Sequence, residues 1–274
     1  MTGPEISAKE AALERVLVSL GSVIVAYSGG VDSAYLAYVA SRTLGDRATA
    51  VTADSASYPD RHRRLARQIA EQFGLRHEII RTRELERPEY RANPTNRCYY
   101  CKHELYTHLS RLAADRGAIV VDGSNADDRS DYRPGRQAAR EFGVRSPLDD
   151  VDLRKDEIRA LSRRAGLPTW DEPASACLSS RIPYHSEVTG EKLRMIERGE
   201  QALQRLGFRV CRVRHHGELA RIEIGRDELP RALEPGMGDA IVRELKAIGY
   251  RDVTIDRQGY RTGSLNEGLL LRPA

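Results

Sequence analysis

Over the first two thirds of the chain, short uninterrupted apolar runs alternate with stretches in which apolar residues return every three or four positions. Val23-Ile24-Val25-Ala26-Tyr27 is the clearest run, and 48–53, 76–80, 118–122 and 144–148 have the same strand character. Between them, 31–43 reads as a helix. The segment 59–73 places Leu65, Ile69, Ala70 and Phe73 at helical spacing, with its arginines on the opposite side. Strands that show no polar alternation are covered on both faces. The pattern therefore predicts the α/β class: a doubly wound parallel sheet of five strands with helices on either side.

The pattern changes near Gly166. Residues 166–186 hold Pro168, Pro173 and Pro183 among small residues without periodicity, which is the composition of an ordered loop or a linker. A helix is predicted over 187–206, then two alternating strands, 208–215 and 219–224, turning at His216-Gly217. A helix over 238–248 and a strand over 252–256 complete an α+β unit with a small antiparallel sheet. Two domains follow, 1–170 and 171–274.

Composition narrows the class. Hydrophobic residues make up 40% and charged residues 31% of 274, and Lys+Arg 44 against Asp+Glu 40 leaves a net charge of +4. The charges are interspersed, so no dedicated nucleic-acid surface is expected. No apolar run approaches the ~20 residues that span a bilayer. The amino terminus lacks the basic-then-apolar layout of a secretory signal, so a cytoplasmic protein without membrane partners is expected. Four cysteines are too few for a disulfide scaffold and read as thiols, ligands or buried fillers.

The first chemistry lies where the first strand gives way to a helix, at Ser28-Gly29-Gly30-Val31-Asp32-Ser33. Two glycines let the backbone turn tightly against an anion, the helix start offers unpaired N–H groups, and Ser28 and Ser33 add hydroxyls. Asp32 is out of place in an anion site unless it helps to hold a cation or orders the loop. No G-x-x-x-x-G-K-[ST] motif is present, which disfavours γ-phosphate transfer of the P-loop kind. Asp54 and Ser55 end the second strand. Gly123, Asn125 and Asp127 follow the fourth strand at the same carboxyl edge, where open α/β sheets bind ligands. The latter segment reads equally as a polar turn or as a nucleotide or metal loop.

Cys98 and Cys101 form a C-x-x-C pair between the third strand and the next helix. Such a pair suits zinc, redox chemistry or an iron–sulfur cluster, but no second pair of ligands nearby completes a zinc site. Cys177 lies among small residues that leave a thiol accessible, with Arg181 and hydroxyls near enough in sequence to favour thiolate. Cys211, flanked by Val210 and Val213, reads as a small buried residue. Trp170 is expected in the core.

The hexapeptide resembles the PP-loop of ATP pyrophosphatases, which cleave ATP between its α and β phosphates and hold adenine near the end of the second strand. With it, N-P-T-N-R-C-Y-Y-C, D-G-S-N-A-D-D, P-A-S-A-C-L-S-S-R-I-P-Y and the segments 213–223 and 259–267 resemble the LarE family over nearly the whole chain. Those are ATP-dependent sulfur transferases of nickel-pincer nucleotide biosynthesis. The resemblance implies a pyridinium-3,5-biscarboxylic acid mononucleotide substrate, ATP with Mg2+, and a homo-oligomer. Two sulfur sources occur in the family. In one, the cysteine matching Cys177 is sacrificed and becomes dehydroalanine. In the other, three cysteines hold a 4Fe–4S cluster that carries the transferred sulfide. Cys98, Cys101 and Cys177 are all in place here, which favours the cluster; the sulfide donor is not indicated.

In the second domain, Arg212 and Arg214 alternate along one strand and so share a face. They form either a clamp for the substrate's phosphate, with Arg181 as a further substrate contact, or a solvated basic face. Glu200 and Glu223 are candidate acidic ligands for a cation there, while His215 and His216 are expected to serve the turn. Alternatives remain: another PP-loop enzyme for tRNA thiolation or amidation, or a non-catalytic nucleotide-binding module. The first would need a concentrated basic face, amidation would not need the three cysteines, and a sensor would release no pyrophosphate.

Overall fold

The computed structural model describes residues 3–130, 134–173 and 176–261. The chain runs α1 (Gly3–Leu20), β1 (Val23–Ala26), α2 (Val31–Leu44), β2 (Ala48–Asp54), α3 (Asp60–Gln72), β3 (His77–Arg81), α4 (Pro88–Arg91), α5 (Arg97–Arg116) and β4 (Ile119–Val121). It continues through α6 (Gly135–Glu141), α7 (Pro147–Asp150), α8 (Lys155–Arg164), α9 (Gly190–Arg205), β5 (Cys211–His216), β6 (Leu219–Ile224), α10 (Leu229–Ala232), α11 (Pro235–Ile248) and β7 (Asp252–Ile255). It divides into two units: Met1–Arg87 with Asn96–Ser175, and Pro88–Thr95 with Ala176–Ala274. A short piece from before the cysteine pair thus belongs to the second unit.

The first unit is built on a parallel sheet in the order β3-β2-β1-β4. Its two faces are separate cores. Val23 and Val25 pack with Leu13, Leu17, Tyr35 and Leu36, whereas Ile24 packs with Tyr106 and Leu109 of α5 on the other side. Strand residues buried on both faces read as the continuous apolar runs of the sequence, and the sheet is doubly wound as expected. α1 is an element the sequence reading did not include; it buries Leu13 and Leu17, one turn apart. The order reverses between β1 and β4. The loops after these two strands therefore meet at the topological switch point of the sheet.

The expected fifth strand does not form. Arg145 makes one parallel bridge to Val121, and Pro147, which has no N–H to continue a ladder, instead opens α7. Trp170 also departs from expectation: it is 37% exposed, with the Arg163 guanidinium 4.8 Å from its ring centroid.

In the second unit, β5 and β6 form a hairpin that turns at Gly217, whose φ is +64°. Its core joins Leu203, Phe208, Val213, Ile222, Ile241 and Leu245. The sheet is mixed rather than antiparallel, because α11 carries the chain back so that β7 lies parallel to β6. Thr189 caps α9, its Oγ1 accepting from Lys192 N at 3.3 Å. No helix among the described residues is long and apolar enough to cross a membrane.

Candidate functional site

β1 delivers the chain into the loop 28–33, and Gly30 stands at the start of α2 with no side-chain cap on the helix. Gly29 has φ +64°, and a Cβ there would lie 2.8 Å from the Ala66 Cβ. Only glycine satisfies both the left-handed backbone and the close approach of α3. The Ser33 hydroxyl receives the Ser28 N–H at 3.1 Å and donates to the Gly30 carbonyl at 3.2 Å, tying the loop on itself. Tyr58 Oη donates to the Ser28 carbonyl at 2.8 Å. The result is a rigid turn with helix-start N–H groups behind it, the arrangement that binds phosphate.

The loop after β4 lies against this turn. A Cβ on Gly123 would come within 2.9 Å of Ser33 N, so the absence of a side chain is what lets the two loops touch. Asp122, buried, organises the second loop: it accepts from Tyr106 Oη at 2.9 Å, Ser124 N at 3.1 Å and Ser146 Oγ at 2.8 Å. Asn125 Oδ1 then accepts from Asp127 N at 3.0 Å, and Asp128 Oδ2 from Asn125 N at 3.2 Å. Gly123, Asn125 and Asp127 are thus held beside the phosphate loop within one unit.

Charges around the loop are paired across long stretches of sequence. Asp54, at the end of β2, is bound by Arg63 at 2.7 Å, and Arg63 also reaches Asp60 at 3.3 Å. Ser55 Oγ lies 3.1 Å from Ser57 Oγ, which donates to buried Glu84. Asp32 Oδ2 receives the Lys155 ammonium, while Asp32 Oδ1 is buried without a hydrogen-bond partner.

Cys98 and Cys101 are not in the connection before the helix, where the sequence reading put them, but in the opening turns of α5 itself. Three residues apart, they share a face of that helix. Cys98 is exposed and Cys101 half-buried. Tyr106, further along α5, carries the link to Asp122. Burial first, then the Asp122 charge, pushes its phenol up, so it remains a donor.

The second unit holds Cys177, half-buried, at the start of the turn Leu178–Arg181. The turn is pinned from several sides. Arg181 donates to the carbonyls of Ala176 at 2.7 Å and Cys177 at 3.0 Å, and Arg214 to that of Ser180 at 2.9 Å. Tyr90 Oη lies 2.6 Å from Ser179 Oγ. Asn93 Nδ2 donates to Pro183 O at 2.7 Å and Ser186 O at 3.0 Å from a left-handed backbone, φ +54°. The segment around Asn93 therefore helps to shape the loop that follows the cysteine.

Three of the candidate residues are engaged in buried ion pairs. Arg181, expected to touch substrate, is 3% exposed and grips Glu200 through Nε at 2.8 Å and Nη2 at 3.1 Å. The same guanidinium holds the Ala176 and Cys177 carbonyls of the cysteine loop. Glu200 and Glu223, expected as cation ligands, are committed to guanidinium groups. Glu200 takes Arg181 and the Val213 N–H, and Glu223 takes Arg214 at 2.7 Å and Arg221 at 3.2 Å. Burial acts to push the Glu200 carboxyl up, but Arg181 and Arg212 outweigh it and hold it below the usual carboxylate range. Arg212 stands beside this pair with its guanidinium 5.0 Å from the Tyr260 ring centroid. Burial first, then the neighbouring Arg181 charge, pull its guanidinium below its ordinary value against the opposing pull of Glu200.

His215 is buried on β5, its Nδ1 3.0 Å from Tyr250 Oη, rather than in the turn. Cys211 is buried as expected, and burial followed by the Glu200 charge pushes its thiol up to about 12. Within either unit, the described residues include no group of three or more His, Cys, Asp or Glu disposed to hold a metal ion. Residues 262–267, part of the segment that resembles the LarE family, lie outside the described residues. Sequence reasoning missed Lys155, Arg63, Asp122 and Asn93. Asp122, next to Gly123 at a strand end, and Asn93, in the N-P motif, had local signals; the two cations had none.

The asparagine synthase family model matches residues 8–94, the stretch that carries the phosphate loop. An uncharacterized protein of Synechocystis sp. is 44% identical over 94% of this chain and 96% of its own length. The pyridinium-3,5-bisthiocarboxylic acid mononucleotide synthase of Lactiplantibacillus plantarum is 36% identical over 96% of both chains. A glutamine-hydrolyzing GMP synthase of Aeropyrum pernix is 27% identical over 65% of this chain and 38% of its own.

Proposed function

We propose the following from one premise: the chain belongs to the LarE family, that of the pyridinium-3,5-bisthiocarboxylic acid mononucleotide synthase it matches end to end. It is an ATP-dependent sulfurtransferase that turns the carboxylates of pyridinium-3,5-biscarboxylic acid mononucleotide into thiocarboxylates. A substrate carboxylate oxygen attacks the α-phosphorus of ATP, pyrophosphate leaves, and an acyl-adenylate forms. A sulfur nucleophile then attacks the acyl carbon and expels AMP. The observation that carries this reading is that the match runs through the phosphate loop and both cysteine segments alike.

Each part of the chain has a task in this cycle. The N–H groups of the loop 28–33, with the hydroxyls of Ser28 and Ser33, stabilise charge on the phosphates. Asp54, Ser55, Gly123, Asn125 and Asp127 line the nucleotide. Mg2+ fits Asp32, whose Oδ1 is buried and unpartnered, and neutralises charge on the departing group when bound. Arg212 meets the substrate's phosphate, with Arg214 and Arg181 fixing the backbone beneath. The protein acts as a cytoplasmic homo-oligomer.

For the sulfur, Cys98, Cys101 and Cys177 have the donor chemistry of an iron–sulfur site. They are thiols with some exposure, unlike Cys211, and soft thiolates suit iron clusters. Cys98, Cys101 and Cys177 would be the ligands of such a 4Fe–4S cluster, which would supply sulfide-level sulfur for the transfer. The second reading rests on Cys177 standing half-exposed in a pinned turn. There its thiolate attacks the acyl carbon and expels AMP to form a thioester; loss of the Cα proton with rupture of the Cβ–S bond then releases the thiocarboxylate and leaves dehydroalanine.

Anaerobic purification with iron and sulfide analysis, followed by intact mass after turnover with ATP and the dicarboxylate nucleotide, separates the two. Bound iron with unchanged protein mass and repeated turnover supports the cluster, and loss of hydrogen sulfide from Cys177 supports sacrifice. Repeated turnover by Cys98→Ala would rule out the cluster. Failure to release pyrophosphate would rule out both.

A further inference from the structure

Residues 88–95 lead into α5, which belongs to the first unit, yet they pack with the second. The stretch holds one turn of helix, α4, and is otherwise irregular. Two of its side chains are nevertheless fully enclosed: Tyr90 and Asn93 are each 0% exposed. Polar groups are buried where their hydrogen bonds are met, so their partners bear on the role of the stretch.

Bonds from this stretch run to the segment that follows Cys177. Tyr90 Oη is 2.6 Å from Oγ of Ser179, two residues after the cysteine and itself fully buried. Asn93 Nδ2 donates to Pro183 O and Ser186 O, and the Asn93 carbonyl accepts from His185 N at 2.9 Å. The Arg91 carbonyl accepts from Val188 N at 2.8 Å, and Arg91 pairs with Glu187. Asn93 and His185 both hold left-handed backbone, with φ +54° and +66°, which non-glycine residues keep only where their surroundings fix them. The apolar core does not supply that hold. Leu178, Ile182 and Val188 are buried, but none belongs to the cluster of Leu203, Phe208, Val213 and their neighbours. The cysteine segment is therefore fastened by two sets of polar bonds, one from Arg181 and Arg214 and one from residues 90–93.

We propose that Tyr90 and Asn93 are positioning residues for the sulfur step: they strap the segment 178–188 so that Cys177 is presented in one fixed conformation, whichever route delivers the sulfur. The assignment rests on the sulfur-transfer reading above and deepens it, because it separates groups that serve sulfur delivery from those that serve adenylation. Neither residue is part of the loops 28–33 and 123–128, so ATP activation should not depend on them.

Single-turnover assays with ATP and the dicarboxylate nucleotide, following pyrophosphate and thiocarboxylate separately, test it. Tyr90→Phe keeps the buried ring and removes the hydroxyl. Asn93→Gly keeps the left-handed backbone and removes the amide. Each should release pyrophosphate within about twofold of the unaltered rate but form thiocarboxylate about three- to tenfold more slowly, the worth of one buried hydrogen bond. In chelator-treated protein, iodoacetamide labelling of Cys177, read by peptide mass, should quicken by a similar factor as the turn loosens. Thermal melting checks that each variant is folded. Equal slowing of both products would mean that the strap only stabilises the unit, and unchanged rates with unchanged labelling would make it idle; either overturns the proposal while the sulfur-transfer reading stands. An unaltered protein that releases no pyrophosphate would overturn that reading instead, and the labelling rates would then decide for or against the strap.

Discussion

Arg181→Met is the substitution whose consequence the structure defines most sharply. It removes one partner of a buried ion pair with contacts of 2.8 and 3.1 Å and leaves Glu200 enclosed without its main counter-charge. Stranding one member of such a pair costs about 3–5 kcal/mol. For the second unit, Pro88–Thr95 with Ala176–Ala274, that lowers the melting temperature by roughly 12–40 °C. The double variant Arg181→Met with Glu200→Leu removes both charges, so at least half of the loss should return. It will not all return, because the Val213 N–H loses its acceptor and Arg212 its neighbouring carboxylate. The cysteine loop behaves differently. Both variants lose the contacts to the Ala176 and Cys177 carbonyls, so Cys177 should alkylate faster in both, read by peptide mass after iodoacetamide. The pair also has a pH signature. Glu200 is depressed below its ordinary value of 4.5, so its contribution is full above that value and is lost as pH falls through the lower folded one. A single variant melting within about 3 °C of the unaltered protein, or a double variant no more stable than the single, would refute the reasoning.

Gly123→Ala drives a Cβ into the Ser33 backbone and should cut α,β-methylene-ATP affinity by about tenfold or more, measured by calorimetry, and lower stability by about 1–3 kcal/mol. Gly29→Ala adds a left-handed strain to a clash with Ala66 and should also cost about 2–4 kcal/mol of stability in urea melts. Cys211, with its thiol near 12, should stay unmodified by iodoacetamide at pH 8 in the folded protein while Cys98 reacts, as peptide mapping will show. His77 and His215 are held below the ordinary 6.5 by burial. The unfolded chain therefore binds more protons in the window just under 6.5, and the melting temperature should fall as pH drops through it. His77→Gln should flatten that slope.

How far the sequence could be read depended on the range of the interaction involved. The strands of the first unit were legible because burial on both faces leaves an uninterrupted apolar run, as at Val23–Ala26. The phosphate loop was legible because a strand, two glycines and a helix start are contiguous. The fifth strand misled because Arg145 and Val144 look like strand residues, while the outcome was decided by one proline and a single bridge to Val121. The parallel seat of β7 had no local mark either, since 252–256 alternates equally well for either direction; it follows from the connection back through α11. The charged groups were hardest. With 44 basic and 40 acidic residues, nearly every element offers a candidate partner. Residue type alone could not tell that Lys155 would find Asp32, or that Arg61 would find Glu172 111 positions later. Glu200 and Glu223 show the cost of this. Read alone, an acid near a proposed site suggests a cation ligand. Buried beside guanidinium groups in this structure, each is engaged as a counter-charge, because a carboxylate in a low-dielectric interior needs a partner. The same rule gives the arginines their meaning. Arg181 and Arg214 are held by Glu200 and Glu223, and what they present to the cysteine loop is a fixed set of N–H donors.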